Sequence, residues 1–476
     1  MSSLFHSLSQ LAEGDIYPFH MPGHKRNMPG HVLEAAYQLD ITEIDGFDNL
    51  HNPGGMIWQA QKKAADLWEA KESFFLVNGS TAGILAALSA AFPKGSEMIL
   101  ARNCHKSAYH GMLLREIRPH YLYPKLIDEG FLYGSVLPKQ VEALYKQYPE
   151  SRGVFLTSPN YDGVISPVKK ISQIVHEHGG ILIVDEAHGA HLGLSKEFPE
   201  SAVTQGADIV IQSLHKTLPS FTQTGLLHLC SNRVPKEKLQ RYLGIYQTSS
   251  PSYLFMSTME QCIEVVEREK DITFSRLSQN IDEFLNAVKG LVHLQILNES
   301  FARERKMYQF DKSKLIISTY GTNISGKELS DRLLAQYHLQ MEMACEHYVL
   351  ALTSICDRRE GFQRLAKALL EIDKELQGGF VKNTEKGLKI FQPKEENIAF
   401  SISEAEEAEK EKIPFRQCEH RISGEFLYLY PPGVPFVVPG EYITKEIIEQ
   451  ISFYKKQGLS IQGNEDDTMT YLEVIQ

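Results

Sequence analysis

No stretch of the 476-residue chain is apolar for the ~18 consecutive residues that a membrane-spanning helix needs. The amino terminus, MSSLFHSLSQLAEGD, has neither the basic start nor the apolar core of a secretory leader, so a cytoplasmic protein off the membrane is expected. Cysteine is scarce. Cys104, Cys230, Cys262, Cys345, Cys356 and Cys418 lie far apart with no C-x-x-C pair, which argues against a disulfide framework or a zinc knuckle and for a reducing compartment. Positive charge is also short, at 49 Lys and Arg against 60 Asp and Glu. The net charge of −11 speaks against a nucleic-acid-binding surface over the whole molecule.

What is present suits a large globular protein. The hydrophobic fraction of 42% supplies a sizeable core, and the length points to one large domain with at least one more. Between about residues 57 and 290, helical periods such as IWQAQKKAADLWEA alternate with apolar runs. These runs are SFFLV, EMILA, GVFLTS, GILIVDE and ADIVIQS. Continuous apolar strands separated by helices predict an α/β fold, its mainly parallel sheet covered on both faces. Ligands of such sheets bind beyond the carboxyl ends of the strands. Residues 258–290 predict one or two long helices bridging to a mixed α+β region from about 300 to 476. The charged run SEAEEAEKEK (403–412) reads as a solvated helix face or loop.

The segments that follow the strands carry the chemistry. After the first run comes Asn78-Gly79-Ser80-Thr81, opening an Ala-rich helix; it suits an anion or a plain helix cap. After the others come Arg102-Asn103-Cys104-His105, then Pro159-Asn160-Tyr161-Asp162, then Asp185-Glu186-Ala187-His188-Gly189-Ala190-His191, then Ser213-Leu214-His215-Lys216. DEAH (185–188) suggests the acidic box of nucleotide-driven helicases, but no G-x-x-x-x-G-K-[ST] loop accompanies it. A metal site on Asp185, His188 and His191 lacks the tight ligand pair of H-E-x-x-H. Pyridoxal 5'-phosphate accounts for the most residues: Lys216 as the amine for its aldehyde, Asp185 for its pyridine nitrogen, His105 flat against its ring. Gly79, Ser80, Thr81 and Ser213 are natural phosphate donors.

The ordered motifs FHMPGHK (19–25), DGFDNLHNPGG (45–55), FFLVNGSTAG (74–83), RNCHKS (102–107), DEAHGAH (185–191), SLHKT (213–217) and YPPGVPFVVPGE (430–441) resemble the Orn/Lys/Arg decarboxylase family over nearly the whole chain. The resemblance implies an aspartate-aminotransferase-like (fold type I) large domain with a smaller α+β C-terminal domain. It divides the chain into an N-terminal arm (1–35), a cofactor-binding major domain (36–295) and a C-terminal part (296–476). It implies loss of CO2 from a basic amino acid, arginine before lysine before ornithine. Lys216, His188 and His215 are then catalytic; His215 and His188 also neighbour the cofactor. Glu441, with Asp48 and Arg421 as further candidates, would meet the substrate. HMPGHK and DNLHNP would close the pocket at a dimer interface. The wing domain of the larger family members is not seen ahead of the PGHK arm, so a homodimer or dimer-based tetramer is expected rather than a decamer. Transamination, aldol-type cleavage and a non-catalytic cofactor-binding paralogue stay open on the same scaffold.

Overall fold

The computed structural model describes residues 14–25, 27, 39–127, 131–376, 397–430, 433–456, 458–466 and 468–476. Much of the expected 1–35 arm, and Pro431 and Pro432 of the C-terminal motif, lie outside the described residues.

The five apolar runs become strands of one seven-stranded sheet, which Arg118–Leu122 and Gly225–Leu229 complete; its strands are numbered in chain order. They are β1 (Glu72–Leu76), β2 (Glu97–Ala101), β3 (Arg118–Leu122), β4 (Gly153–Thr157), β5 (Ile181–Asp185), β6 (Ile209–Gln212) and β7 (Gly225–Leu229). Their spatial order is β1-β7-β6-β5-β4-β2-β3, with β7 antiparallel to both neighbours and every other pair parallel. Ile183, Val184, Ile209, Val210 and Ile211 are fully buried. That is why these strands read as unbroken apolar runs rather than alternating ones. Because β1 runs with β6, the carboxyl ends of all strands but β7 open on one edge. Asp185 lies near its middle, opposite Thr157 of β4 and Ile211 of β6.

The helix Gly79–Ala91 lies so close to the sheet that a Cβ on Gly83 would fall 2.6 Å from Leu76 Cδ1. Residues 253–287 form one 35-residue helix, N-capped by Ser252 and packed on Met56–Trp68 and Arg359–Glu375. Beyond it, a four-stranded antiparallel sheet joins Gln295–Leu297, Lys314–Ser318, Tyr348–Leu352 and Met343–Ala344. Leu339–Met341 leaves this region to pair, in parallel, with Tyr17–Phe19. Two three-stranded sheets and the helix Lys445–Lys456 complete the C-terminal part. The charged run 403–412 is helical only to Glu407, within a short helix whose start Ser401 and Glu404 close with a capping box. Lys410–Pro414 is instead a strand, paired with Tyr471–Ile475; its partner lies too far along the chain for local pattern to show. Among the described residues, no helix is long and apolar enough to cross a membrane.

Candidate active site

At Gln212 the strand β6 ends, and the chain enters a single helical turn, Leu214–Thr217, whose buried Leu214 and Thr217 fix it in place. Lys216 Nζ lies 2.9 Å from His188 Nε2, which the segment after β5 supplies. Burial lowers the Lys216 ammonium below its ordinary pKa, against the charge of Asp185. Burial also holds His188 well below the usual imidazole value, and so neutral. Asp185 is 3% exposed; burial raises its carboxyl, while Lys216 and the Ala187 N–H (3.1 Å) favour the carboxylate. His188 Nδ1 is buried without a hydrogen-bond partner.

Two further features surround this centre. Gly79 has φ of +71°, a conformation that favours glycine, and the helix it opens has no side-chain cap and no acid in its first turn. The Gly79 N–H donates to the Gln223 carbonyl at 2.9 Å, and the Ser80 hydroxyl beside it lies 2.6 Å from that of Ser213, with Thr81 next in the turn. An uncapped helix end with clustered hydroxyls fits a phosphate. His105 caps the next helix, its Nδ1 facing Ser107 Oγ at 2.8 Å and accepting from the Ser107 N–H at 3.2 Å. A Cβ on Gly433 would stand 3.1 Å from the imidazole, so the C-terminal part backs the ring. Burial pushes His105 down to about 3, leaving a neutral, flat group. The phosphate cradle, the buried acid and the partly desolvated amine together fit pyridoxal phosphate.

His215 is engaged elsewhere. Its Nδ1–H donates to the Thr224 carbonyl (2.8 Å), and burial lowers it to about 4, so it brings no positive charge. The three candidate substrate residues are also committed. Asp48 accepts from the backbone N–H groups of Asn49, Gly54, Gly55, Ile57 and Trp58, which makes it the anchor of the helix Met56–Trp68. Glu441, 1% exposed, is held by Arg102 at 3.0 Å and by the Val438 N–H at 3.0 Å. Arg421 binds Glu411 at 2.6 Å and the Ile475 carbonyl, within the C-terminal sheet. His191 bonds Asp311 at 3.2 Å.

The structure also brings in two residues to which the sequence assigned no role, Tyr161 and Lys314. Tyr161, edge-on to His188 with ring centroids 4.6 Å apart, donates to Glu342 Oε1 at 2.5 Å. Lys314, fully buried, places Nζ 3.4 Å from the His188 carbonyl and 3.7 Å from Asp311. The one signal for it was a charge at the start of the apolar strand KLIIS. A cavity of about 410 Å³ has Asn103, Tyr161, Glu342 and Glu346 in its lining.

HMPGHK, expected at a subunit interface, braces the catalytic turn of its own chain. The Met21 N–H donates to Glu342 Oε2 at 2.8 Å, the Gly23 N–H to the His215 carbonyl at 2.6 Å, and Lys25 Nζ to the carbonyls of Leu352 (2.7 Å) and His20 (2.9 Å). A Cβ on Gly23 would lie 2.8 Å from both Leu218 N and Leu218 O, backbone atoms that cannot step aside alone. Gly23→Val should therefore shift the Lys216 turn and lower kcat about 100-fold, with the protein still folded and cofactor-loaded. Steady-state kinetics and the cofactor absorbance would check this, and wild-type kcat in the variant would refute the brace.

The family profile described as Orn/Lys/Arg decarboxylase, major domain, matches residues 2–332, and that of the C-terminal domain matches residues 389–469. An arginine decarboxylase of Bacillus subtilis is 31% identical over 99% of this chain and 97% of its own length. Among solved structures, lysine decarboxylase A from Pseudomonas aeruginosa superposes with a TM-score of 0.77 at 17% identity, covering 98% of this chain and 81% of that one. Alanine–glyoxylate aminotransferase from Nostoc sp. gives 0.58 at 14% identity over 78% of this chain and 100% of that one, which places the large domain in the fold type I class.

Proposed function

Since this chain belongs to the Orn/Lys/Arg decarboxylase family, carboxy-lyases with pyridoxal phosphate as cofactor, we propose that it removes the α-carboxylate of a basic L-amino acid, arginine before lysine before ornithine. The observation that carries the reading is the Lys216–His188 contact beside the buried Asp185. The order of substrates draws on the Bacillus relative named for arginine.

Lys216 would hold the cofactor's aldehyde and Asp185 its pyridine nitrogen. His105 would cover its ring, and Ser80, Thr81 and Ser213 its phosphate. Bound there, pyridoxal phosphate supplies an electron sink for the pair left when CO2 departs. The chain's own residues handle protons and position. The amine of Lys216 is more readily neutral because burial lowers its pKa. His188 Nε2 can take or return a proton at Lys216 Nζ across 2.9 Å. Lys216, rather than His215 with its Nδ1–H tied to Thr224, is the group that returns a proton to the substrate's α-carbon. His188 Nδ1, without a partner, is placed to meet the substrate carboxylate or a cofactor oxygen.

A homodimer, or a tetramer built from it, goes with this reading. Its support is a run of exposed apolar side chains along one stretch of chain, Ile44, Phe47, Met56 and Trp58.

The deciding assay is CO2 release by the cofactor-loaded protein from arginine, lysine and ornithine. Release with stoichiometric amine, and the highest kcat/KM for arginine, is expected. No gas from any of the three, or amine transfer that depends on an added keto acid, would remove the decarboxylase reading.

A further inference from the structure

The cavity beside Tyr161 has a chemically one-sided lining. Its lining includes Asn103, 7% exposed, whose Oδ1 is buried without a hydrogen-bond partner. The same lining includes Glu346, whose side chain is 9% exposed and whose Oε1 is likewise buried and unpartnered. Glu342 differs, because Tyr161 and the Met21 N–H already occupy both its oxygens. The cation among the described lining residues, Lys327, is closed on Asp331 at 2.5 Å. His347 stands beside Glu346, with Nε2 3.6 Å from Oε2. That ring packs against Phe131 and Tyr320, and burial lowers it to about 4, so it offers no countercharge. Burial raises the Glu346 carboxyl to about 7, a cost that a bound cation would remove.

A buried carboxylate without donors is expensive, and such groups in native proteins are almost always satisfied. Two orphaned acceptors in one cavity call for a ligand rich in N–H donors. Tyr133, Tyr430, Phe436 and Tyr454 line the same space, and aromatic faces favour a planar, weakly hydrated cation over a compact ammonium. We infer that Glu346 anchors the distal group of the substrate, and that this group is a guanidinium in preference to an ammonium. The inference rests on the amino-acid decarboxylase reading and names the residue that sets its substrate.

The test uses the cofactor-loaded full chain and the isosteric substitution Glu346→Gln. KM for arginine should rise tenfold to 100-fold, the usual range for one charge-assisted hydrogen bond, with kcat nearly unchanged. Citrulline, the uncharged isostere, should show no such loss, so discrimination between the two falls by the same factor. Calorimetry with the amine left when arginine loses CO2 should show the same weakening without any turnover. Unaltered cofactor absorbance and melting temperature would establish that the variant is folded. An unchanged KM for arginine, or equal losses for arginine and citrulline, would overturn the assignment. Wild-type protein that binds the amine through Glu346 yet releases no CO2 would instead sink the decarboxylase reading and leave this one standing.

Discussion

Lys216→Ala should lower turnover by on the order of 10⁴-fold, and borohydride should then leave no cofactor on the polypeptide. The substitution removes the amine that would hold the aldehyde and the proton carrier that faces His188 Nε2 at 2.9 Å. Lys216→Arg separates these roles from simple charge. It keeps a cation near Asp185, but a guanidinium cannot be deprotonated in a protein, so the loss should be just as large. In the wild type, peptide mapping after borohydride should find the cofactor on the peptide containing Lys216. Turnover within tenfold of wild type in either variant would mean that the site has been placed around the wrong residue.

Glu441→Ala should destabilise the protein by about 3–5 kcal/mol while leaving KM for basic amino acids close to wild type. Arg102 is 5% exposed and Glu441 1%, and the pair joins β2 to the C-terminal part. Removing the carboxylate leaves a guanidinium buried without its countercharge, although the Pro435 carbonyl and the Tyr109 hydroxyl still receive its N–H groups. Replacing both partners with apolar residues of similar volume, as in Arg102→Met with Glu441→Leu, should recover much of the loss. Urea denaturation followed by fluorescence reads the first effect, and kinetics reads the second. A raised KM with unchanged stability would return Glu441 to the substrate.

The sheet and its chemical edge were legible because buried parallel strands announce themselves as apolar runs, and the groups that follow each run must share one edge. Lys216, Asp185, His105 and Ser80 could be placed that way from sequence position alone. The distal half of the pocket could not. Glu342 and Glu346 flank Met343–Ala344, a two-residue strand, in a segment of mixed pattern, and nothing local separates a carboxylate facing a cavity from one facing water. The acids beside the motifs were misleading for a related reason. An Asp at a turn meets backbone donors and a buried Glu meets a buried Arg, as Asp48 and Glu441 do. Sequence proximity to a motif does not report either partner. HMPGHK was recognisable as a motif, but its role depends on a carbonyl almost two hundred residues later.

That brace also bears on how the molecule assembles. Met21 meets Glu342 across 321 positions of chain, Lys25 meets Leu352 across 327, and Arg102 meets Glu441 across 339. Loop-closure entropy must be overcome before contacts so remote can form. The Lys216 turn is therefore braced only when residues 21–25 have met both the His215 carbonyl and the segment 342–352, more than 300 positions further along the chain.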